Sequence, residues 1–235
     1  MRAHVVVRHV DRPDPLVVAG LRAAGVASAH EAAGRGGLLS AALRPIQQGV
    51  AVAGPAVTVS SHPGDNLMVH AAVEVCRAGD VLVVATTSPS TDAMVGELLA
   101  TSLAARGVVG LVVDAGVRDV AALRAMGFPV WARAISAQGT VKASPGSVNV
   151  AVVCGGQLVR PGDVVVADDD GVVCVPRQAA AAVLERARAR IADEDRKRAR
   201  LAAGVLGVDM YGLRARLAEL GVDYVDQLDH DDPQG

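Results

Sequence analysis

Residues 107–120, GVVGLVVDAGVRDV, carry an apolar run into Asp114-Ala115-Gly116-Val117 and place Arg118 and Asp119 directly after it. A guanidinium offers a planar fork of donors to a carboxylate, and a carboxylate suits a hard divalent cation. Adjacent Arg118 and Asp119 could therefore hold a 2-oxo acid and its metal. The same spacing also describes an ordinary helix start, with Asp119 favoured by the dipole and Arg118 in water. Upstream, Gly96-Glu97-Leu98-Leu99 reads as an early helical turn whose uncommitted backbone N–H groups could receive an anion, with Glu97 beside it. That run equally describes two core leucines and a solvated glutamate. The two segments flank one strand, so they can converge at one edge of a sheet.

Other signatures are missing from the sequence. Gly34-Arg35-Gly36-Gly37 has neither GxGxxG spacing nor a Walker lysine and reads as a loop. The six histidines include no HExxH and no close pair of zinc ligands, and no GxSxG elbow occurs. Asp168-Asp169-Asp170 before Gly171, between apolar strands, reads as a hairpin turn rather than a metal cluster. Of 23 basic residues only Lys142 and Lys197 are lysines, which disfavours imine chemistry and points a carbonyl enzyme toward a metal.

The elements that must position these residues follow from patterning. At 235 residues and 51% apolar content, with mean hydropathy +0.34, the chain can bury one large domain, or one domain with an appendage. Net charge −2 and only four aromatics, Phe128, Trp131, Tyr211 and Tyr224, argue against a nucleic-acid partner. Cys76, Cys154 and Cys174 are widely spaced in apolar contexts, as buried thiols in a reducing cytoplasm are. The charged N-terminus does not read as a signal peptide, and no apolar stretch approaches membrane-spanning length, so a cytoplasmic protein without a membrane partner is expected.

Helices are predicted over residues 15–24 and 28–34, the second capped by Ser28, ahead of the loop at 34–37. Short strands at 50–52 and 57–59 flank a Gly54-Pro55 turn. A helix over 66–77 feeds a strand at 81–85, and a helix over 91–106 feeds a strand at 108–113, with Gly116 turning the chain out toward a helix over 120–126. That alternation predicts a parallel α/β core. Short strands at 130–134, 148–154, 164–167 and 172–175, separated by Pro-Gly and Asp-Gly turns, predict a strand-rich layer against it. A long helix starts at Pro176-Arg177-Gln178 and runs toward Ala203. A shorter one covers 210–219, and residues 229–235 read as a frayed tail.

Six segments carry a resemblance. They are GVASAHEAAGRGG at 25–37, PGDNLMVH at 63–70, GELLATS at 96–102, DAGVRD at 114–119, RAISAQGTV at 133–141 and PGDVVVADDDG at 161–171. In type and order the chain, from about residue 5 to 224, resembles the 4-carboxy-4-hydroxy-2-oxoadipate/4-hydroxy-4-methyl-2-oxoglutarate aldolases of the RraA-like family. The resemblance implies an α/β fold of three-layer β/β/α swivelling type over residues 1–176. It also implies a C-terminal helical extension, 177–228, that packs on a neighbouring subunit of a homotrimer or hexamer.

The resemblance further implies residue roles. Backbone amides of Gly96, Glu97, Leu98 and Leu99 would hold a pyruvyl group whose oxygens Arg118 reaches, and Asp119 would be the direct ligand of Mg²⁺ or Mn²⁺. Glu97, Glu31 and Glu194 would be acidic partners, Glu194 from a neighbouring subunit, and Lys142 would help bind the distal carboxylate. Many relatives carry aspartate at the position of Glu97, whose arm is one methylene longer. The implied activity is metal-dependent (class II) retro-aldol cleavage of small 2-oxo acids in aromatic-acid (protocatechuate and gallate) degradation. One substrate would yield pyruvate and oxaloacetate and the other two pyruvates, with oxaloacetate decarboxylation as a side reaction. Two alternatives belong to the same resemblance: a non-catalytic regulator of an RNA-processing endonuclease, and a dedicated oxaloacetate decarboxylase. The regulators tend to lack the aspartate after the arginine and the long C-terminus, both of which this chain has.

Overall fold

Val83 on one strand and Val112 on the next are buried completely, as are the neighbours that point the opposite way, Leu82 and Leu111. Burial on both faces is the condition of parallel strands covered by other layers. The computed structural model of the chain describes residues 4–227. Its strands are β1 (Arg44–Pro45), β2 (Val52–Ser61), β3 (Val81–Thr86), β4 (Ala93–Val95), β5 (Gly110–Val117), β6 (Val130–Ile135), β7 (Ser147–Val148), β8 (Val152–Cys154), β9 (Gln157–Val159), β10 (Val164–Asp168) and β11 (Gly171–Val175). Its helices are α1 (Pro15–Ala32), α2 (Leu67–Val73), α3 (Glu97–Ala105), α4 (Val120–Ala125), α5 (Ala180–Ala202), α6 (Gly207–Met210) and α7 (Leu213–Glu219).

The mixed sheet runs β1-β6-β5-β3-β2-β10-β11, with β4 added to β5 and β7 to β2. β2, β3, β5 and β6 are parallel neighbours joined through α2, α3 and α4, while β10, β11, β7 and β1 pair antiparallel. One face of the parallel part (Val57, Val59, Leu82, Val84, Leu111, Val113) packs with Val69, Leu103 and Leu123 of α2, α3 and α4. The other face (Ala56, Val81, Val83, Val112, Trp131) packs with the β8–β9 hairpin and Val165, Ala167 and Val172 of the β10–β11 layer. The outer side of β10–β11 is covered by Leu21, Val26 and Ala29 of α1 and by Val183, Leu184 and Ala187 of α5. This is the three-layer β/β/α arrangement expected, with C-terminal helices after it.

Several element boundaries differ from the expectation for identifiable reasons. The two short strands around Gly54-Pro55 are one strand, β2, whose first residues pair with β10 and whose last pair with β3. Gly54 sits there because a Cβ would lie 2.3 Å from the Gly79 carbonyl oxygen. The helix predicted over 91–106 begins only at Glu97, because residues 93–95 pair as β4 with the end of β5. Gly116 does not turn the chain out but lies inside β5, where a side chain would collide with the Thr91 carbonyl oxygen 2.1 Å away. The predicted strand at 148–154 is divided into β7 and β8 by Asn149, which adopts φ 58°. The helix predicted over 210–219 is divided at Gly212, which adopts φ 64°.

The predicted break between residues 24 and 28 is present as a kink at Gly25 (φ 78°), but the cap differs. The Val26 N–H donates to Asp168 Oδ2 at 2.8 Å, so the cap is Asp168 of the Asp-rich turn rather than Ser28. That turn is the hairpin expected, with Asp168 opposite Gly171 across β10 and β11.

Met1–Arg190 forms one compact unit and Ile191–Gly235 a second. The first runs past residue 176 because the opening turns of α5 pack on α1, where Gly20 leaves room for Leu184. In the second unit, Asp193 accepts an ion pair from Lys197 at 2.6 Å, Lys197 Nζ lies 5.7 Å from the Tyr211 ring centre, and Arg214 pairs with Asp209. None of residues 191–227 is buried. The tail expected over 229–235 lies outside the described residues. Among the described residues no helix is long and apolar enough to cross a membrane.

Candidate functional site

β5 ends at Val117, and the next two side chains, Arg118 and Asp119, meet the beginning of α3. β4 makes that meeting possible, because Val95 pairs with Val117 and its carbonyl accepts the Arg118 N–H at 3.1 Å, which brings Gly96 alongside. Asp119 precedes α4 in the left-handed conformation, φ 57° and ψ 36°. Aspartate tolerates that region better than most residues, and such strain tends to persist at functional sites. Asp119 does not cap its own helix. Its Oδ2 accepts the Glu97 N–H at 3.1 Å and lies 3.6 Å from Arg118 Nε.

Two glycines make room for this pair. A Cβ on Gly96 would lie 2.4 Å from Asp119 Oδ2 and 3.0 Å from Arg118 Cγ, and one on Gly139 would lie 2.8 Å from Arg118 Nη1. The Leu98 and Leu99 amides in the first turn of α3 have no earlier helical carbonyl to bind. The result is an anion-accepting helix start with a guanidinium and a carboxylate at its entrance, on the rim of a cleft of about 490 Å³.

A second group of residues lines the same cleft: Asn66 and His70 of the α2 region, and Thr140 and Lys142 of the loop after β6. Their common anchor is Asp65, which is buried. Its carboxylate accepts the N–H groups of Leu67 (2.9 Å), Ala143 (2.8 Å) and Ser144 (2.6 Å), tying the α2 start to the loop. The Asn66 N–H also donates to the Val141 carbonyl, and the Val141 N–H to that of Gly64. Burial opposes ionisation of Asp65, but the three backbone donors outweigh it and hold the carboxyl below its usual value. Partial desolvation of the largely exposed His70, and then the nearby Lys142 charge, hold it below the usual imidazole value.

Gly96, Glu97, Leu98, Leu99, Arg118, Asp119 and Lys142 line one cleft. Leu98 is 85% exposed, whereas Leu99 is part of the core, so the helix start offers one apolar side chain outward and one inward. Glu31 does not line the cleft of its own chain. It closes α1, paired with Arg35 at 3.1 Å and near Arg190 at 3.8 Å, and the Arg35 hydrogen bond leads the effects that lower its pKa. Glu194 lies on α5 within the second unit.

Sequence reasoning missed Asn66, His70 and Thr140. His70 lies four residues after Asn66, on the same helical face, in the segment quoted for the resemblance, and that spacing was the available signal. Asp114, in the same motif as Arg118, is structural. It accepts from Arg133 Nε on β6 and from the Gly155 N–H of the β8–β9 turn. All three cysteines are free and buried; burial first, with Asp80 nearby, pushes the Cys76 thiol up to about 12 and keeps it unreactive.

Among the described residues no group of three or more His, Cys, Asp or Glu side chains could hold a metal ion. The donor set at the cleft is instead Asp119, partly open to solvent, with Glu97 nearby. Hard oxygens few in number, with space for waters and a chelating acid, fit Mg²⁺ or Mn²⁺ and not a closed zinc site.

The profile of the RraA-like family, described as Aldolase/RraA, matches residues 23–174. The chain belongs to the RraA-like family. It is 33% identical over 173 residues to a protein of Halalkalibacterium halodurans provisionally named 4-hydroxy-4-methyl-2-oxoglutarate aldolase, covering 74% of this chain and 82% of that protein. A protein of Burkholderia multivorans with the same provisional name is 38% identical over 148 residues, 62% of this chain and 90% of its own. Among solved structures, Streptomyces coelicolor RraAS2, described as an unusual member of the RNase ES inhibitor RraA protein family, superposes with TM-score 0.71 at 31% identity, covering 80% of this chain and 98% of that one. An uncharacterized protein from Pseudomonas syringae pv. tomato superposes with TM-score 0.73 at 26% identity, covering 83% and 96%.

Proposed function

We propose that the protein is a divalent-metal-dependent pyruvate aldolase that cleaves 4-carboxy-4-hydroxy-2-oxoadipate to pyruvate and oxaloacetate, and 4-hydroxy-4-methyl-2-oxoglutarate to two pyruvates, in the breakdown of aromatic acids such as protocatechuate and gallate. The observation that carries this reading is the convergence of Arg118 and left-handed Asp119 on the first turn of α3. The provisional aldolase names of two relatives support it.

Asp119, with Glu97 nearby, would hold Mg²⁺ or Mn²⁺, which when bound supplies a Lewis acid for the 2-oxo acid. The chain's own groups do the rest. The α3 amides and Arg118 bind and orient the pyruvyl carboxylate and keto oxygen. A carboxylate base, Glu97 or an acid from a neighbouring copy, takes the proton of the C4 hydroxyl. The C4–O bond becomes a carbonyl as C3–C4 breaks, and the electron pair moves to the C2 oxygen, where Arg118 offsets the developing charge. Protonation of the enolate at C3 releases pyruvate. Oxaloacetate, which loses CO₂ to the same enolate, is decarboxylated as a side reaction.

The protein works as a homotrimer or as a hexamer of two stacked trimers. Eight large apolar residues of the second unit are exposed, among them Leu206, Tyr211, Leu220 and Tyr224, and a second copy is the partner that covers them. In that assembly the extension, which begins after residue 176, supplies Glu194 to a neighbouring cleft, with Glu31 as a further acidic partner.

The test is pyruvate release from both hydroxy acids by protein loaded with Mg²⁺ or Mn²⁺. Metal-dependent release is expected, with Asp119→Ala lowering it by about 10³-fold or more while circular dichroism stays unchanged. Full activity in Asp119→Ala, or none in the wild type, overturns the assignment; in the latter case the RraA-type regulators become the better comparison.

A further inference from the structure

The aldolase reading accounts for Arg118, Asp119 and the α3 amides, and the resemblance gives Lys142 the distal carboxylate; of the two basic side chains in that wall of the cleft, Lys142 and His70, only His70 is left without a task. The two come from elements 72 residues apart in sequence, and the triple acceptance by Asp65 holds those elements together. Neither side chain forms a hydrogen bond or ion pair among the described residues, and the Lys142 charge acts on His70. The acids lining the cleft are Glu97, at the α3 start, and Asp119, whose carboxylate accepts the Glu97 N–H there. Asp65 is committed to three amides, so it does not neutralise the pair. The Asn66 amide nitrogen is likewise engaged, donating to the Met94 carbonyl at 3.0 Å, and its buried Oδ1, which has no partner among the described residues, is an acceptor that an anion cannot use. A local positive centre with free donors is thus built into a wall that the pyruvyl group does not use.

Resting on the aldolase reading and on the Lys142 role that the resemblance implies, we propose that His70 completes the anion subsite for the departing half of the substrate and sets the preference for the acid carrying a third carboxylate. The two candidate substrates differ at one place, where a methyl group on C4 is replaced by a carboxymethyl group. Both keep a carboxylate on C4, which a single cation, Lys142, can hold. The added carboxylate needs a further donor, and the imidazole is the remaining basic group. In the empty cleft partial desolvation and Lys142 both disfavour its charge, so it meets the carboxylate as an N–H donor.

The test compares wild type, His70→Leu, His70→Gln and Lys142→Met on both acids. His70 is exposed on α2, so the variants fold. His70→Leu is expected to lower kcat/KM for the tricarboxylate by about tenfold and for the methyl acid by less than about twofold. His70→Gln, which keeps an N–H donor, recovers part of the loss, and Lys142→Met weakens both acids alike. Equal losses on the two acids in His70→Leu overturn the proposal. A binding readout separates it from the aldolase reading: calorimetry with propane-1,2,3-tricarboxylate and glutarate in Mg²⁺. If wild type prefers the tricarboxylate and His70→Leu abolishes that preference, the subsite stands even where neither hydroxy acid is cleaved. If the preference is absent, or survives in His70→Leu, the subsite fails even where both acids are cleaved.

Discussion

The two groups of residues that line the cleft are built in opposite ways. Arg118 and Asp119 are neighbours in sequence, projected by the end of one strand onto the helix start that β4 places beside it, and two glycines clear their space. His70 and Lys142 come from separate segments and depend on a buried carboxylate, Asp65, that touches neither of their charged groups in any hydrogen bond. The first group is set by local backbone geometry and the second by a tertiary staple. Damage to the first should therefore be chemical and specific, whereas damage to the second should appear as lost stability together with altered substrate preference.

The largest effect expected is the loss on removing the Asp119 carboxylate. Next is Gly96→Ala. The added methyl meets the mobile end of Asp119 and the Arg118 stem rather than backbone, so the fold survives while the pair is displaced. Activity is expected to fall by about 10²-fold, as a displacement of about 1 Å at a reacting centre can produce, with the melting temperature nearly unchanged. A Gly96→Ala variant with wild-type kcat/KM would break the argument that close approach at the α3 start matters.

Smaller in activity but larger in stability is Asp65→Ala, which leaves buried N–H groups without an acceptor and should cost about 2–3 kcal/mol in denaturant unfolding. The pH dependence has a definite sign. Folding lowers the Asp65 pKa, so its contribution is fully present above the unfolded value of about 4 and is lost as pH falls through the lower, folded value. The stability difference between wild type and Asp65→Asn should accordingly narrow below about pH 4. A gap that stays constant through that range would remove the staple from the account.

The same contrast explains what was legible in the sequence. Val112, Val113 and the strand-helix alternation foretold the parallel core, because burial on both faces writes itself as continuous β-branched runs. Arg118, Asp119 and residues 96–99 stood out because contiguous residues keep their relation in any fold. β4 was hidden: Ala93, Met94 and Val95 suit a helix as well as a strand, and only pairing with β5 decides between them. The unbroken β2 was hidden for the same reason, since Gly54-Pro55 is a turn signal locally and a crossing point tertiarily. Asp65 was illegible because its role is to accept N–H groups from a loop some 78 residues away, and His70 carried only its helical spacing from Asn66, which does not show that the loop at 139–144 lies opposite it.

The central claim is that Arg118 and Asp119 build a centre that stabilises the enolate of pyruvate. Hydrogen–deuterium exchange at the pyruvate methyl group, followed by proton NMR in heavy water with Mg²⁺ and the wild-type protein, tests it without any hydroxy-acid substrate. The account predicts metal-dependent exchange well above the protein-free rate, lost in Arg118→Ala. Exchange that is absent in the wild type, or undiminished in Arg118→Ala, would contradict it.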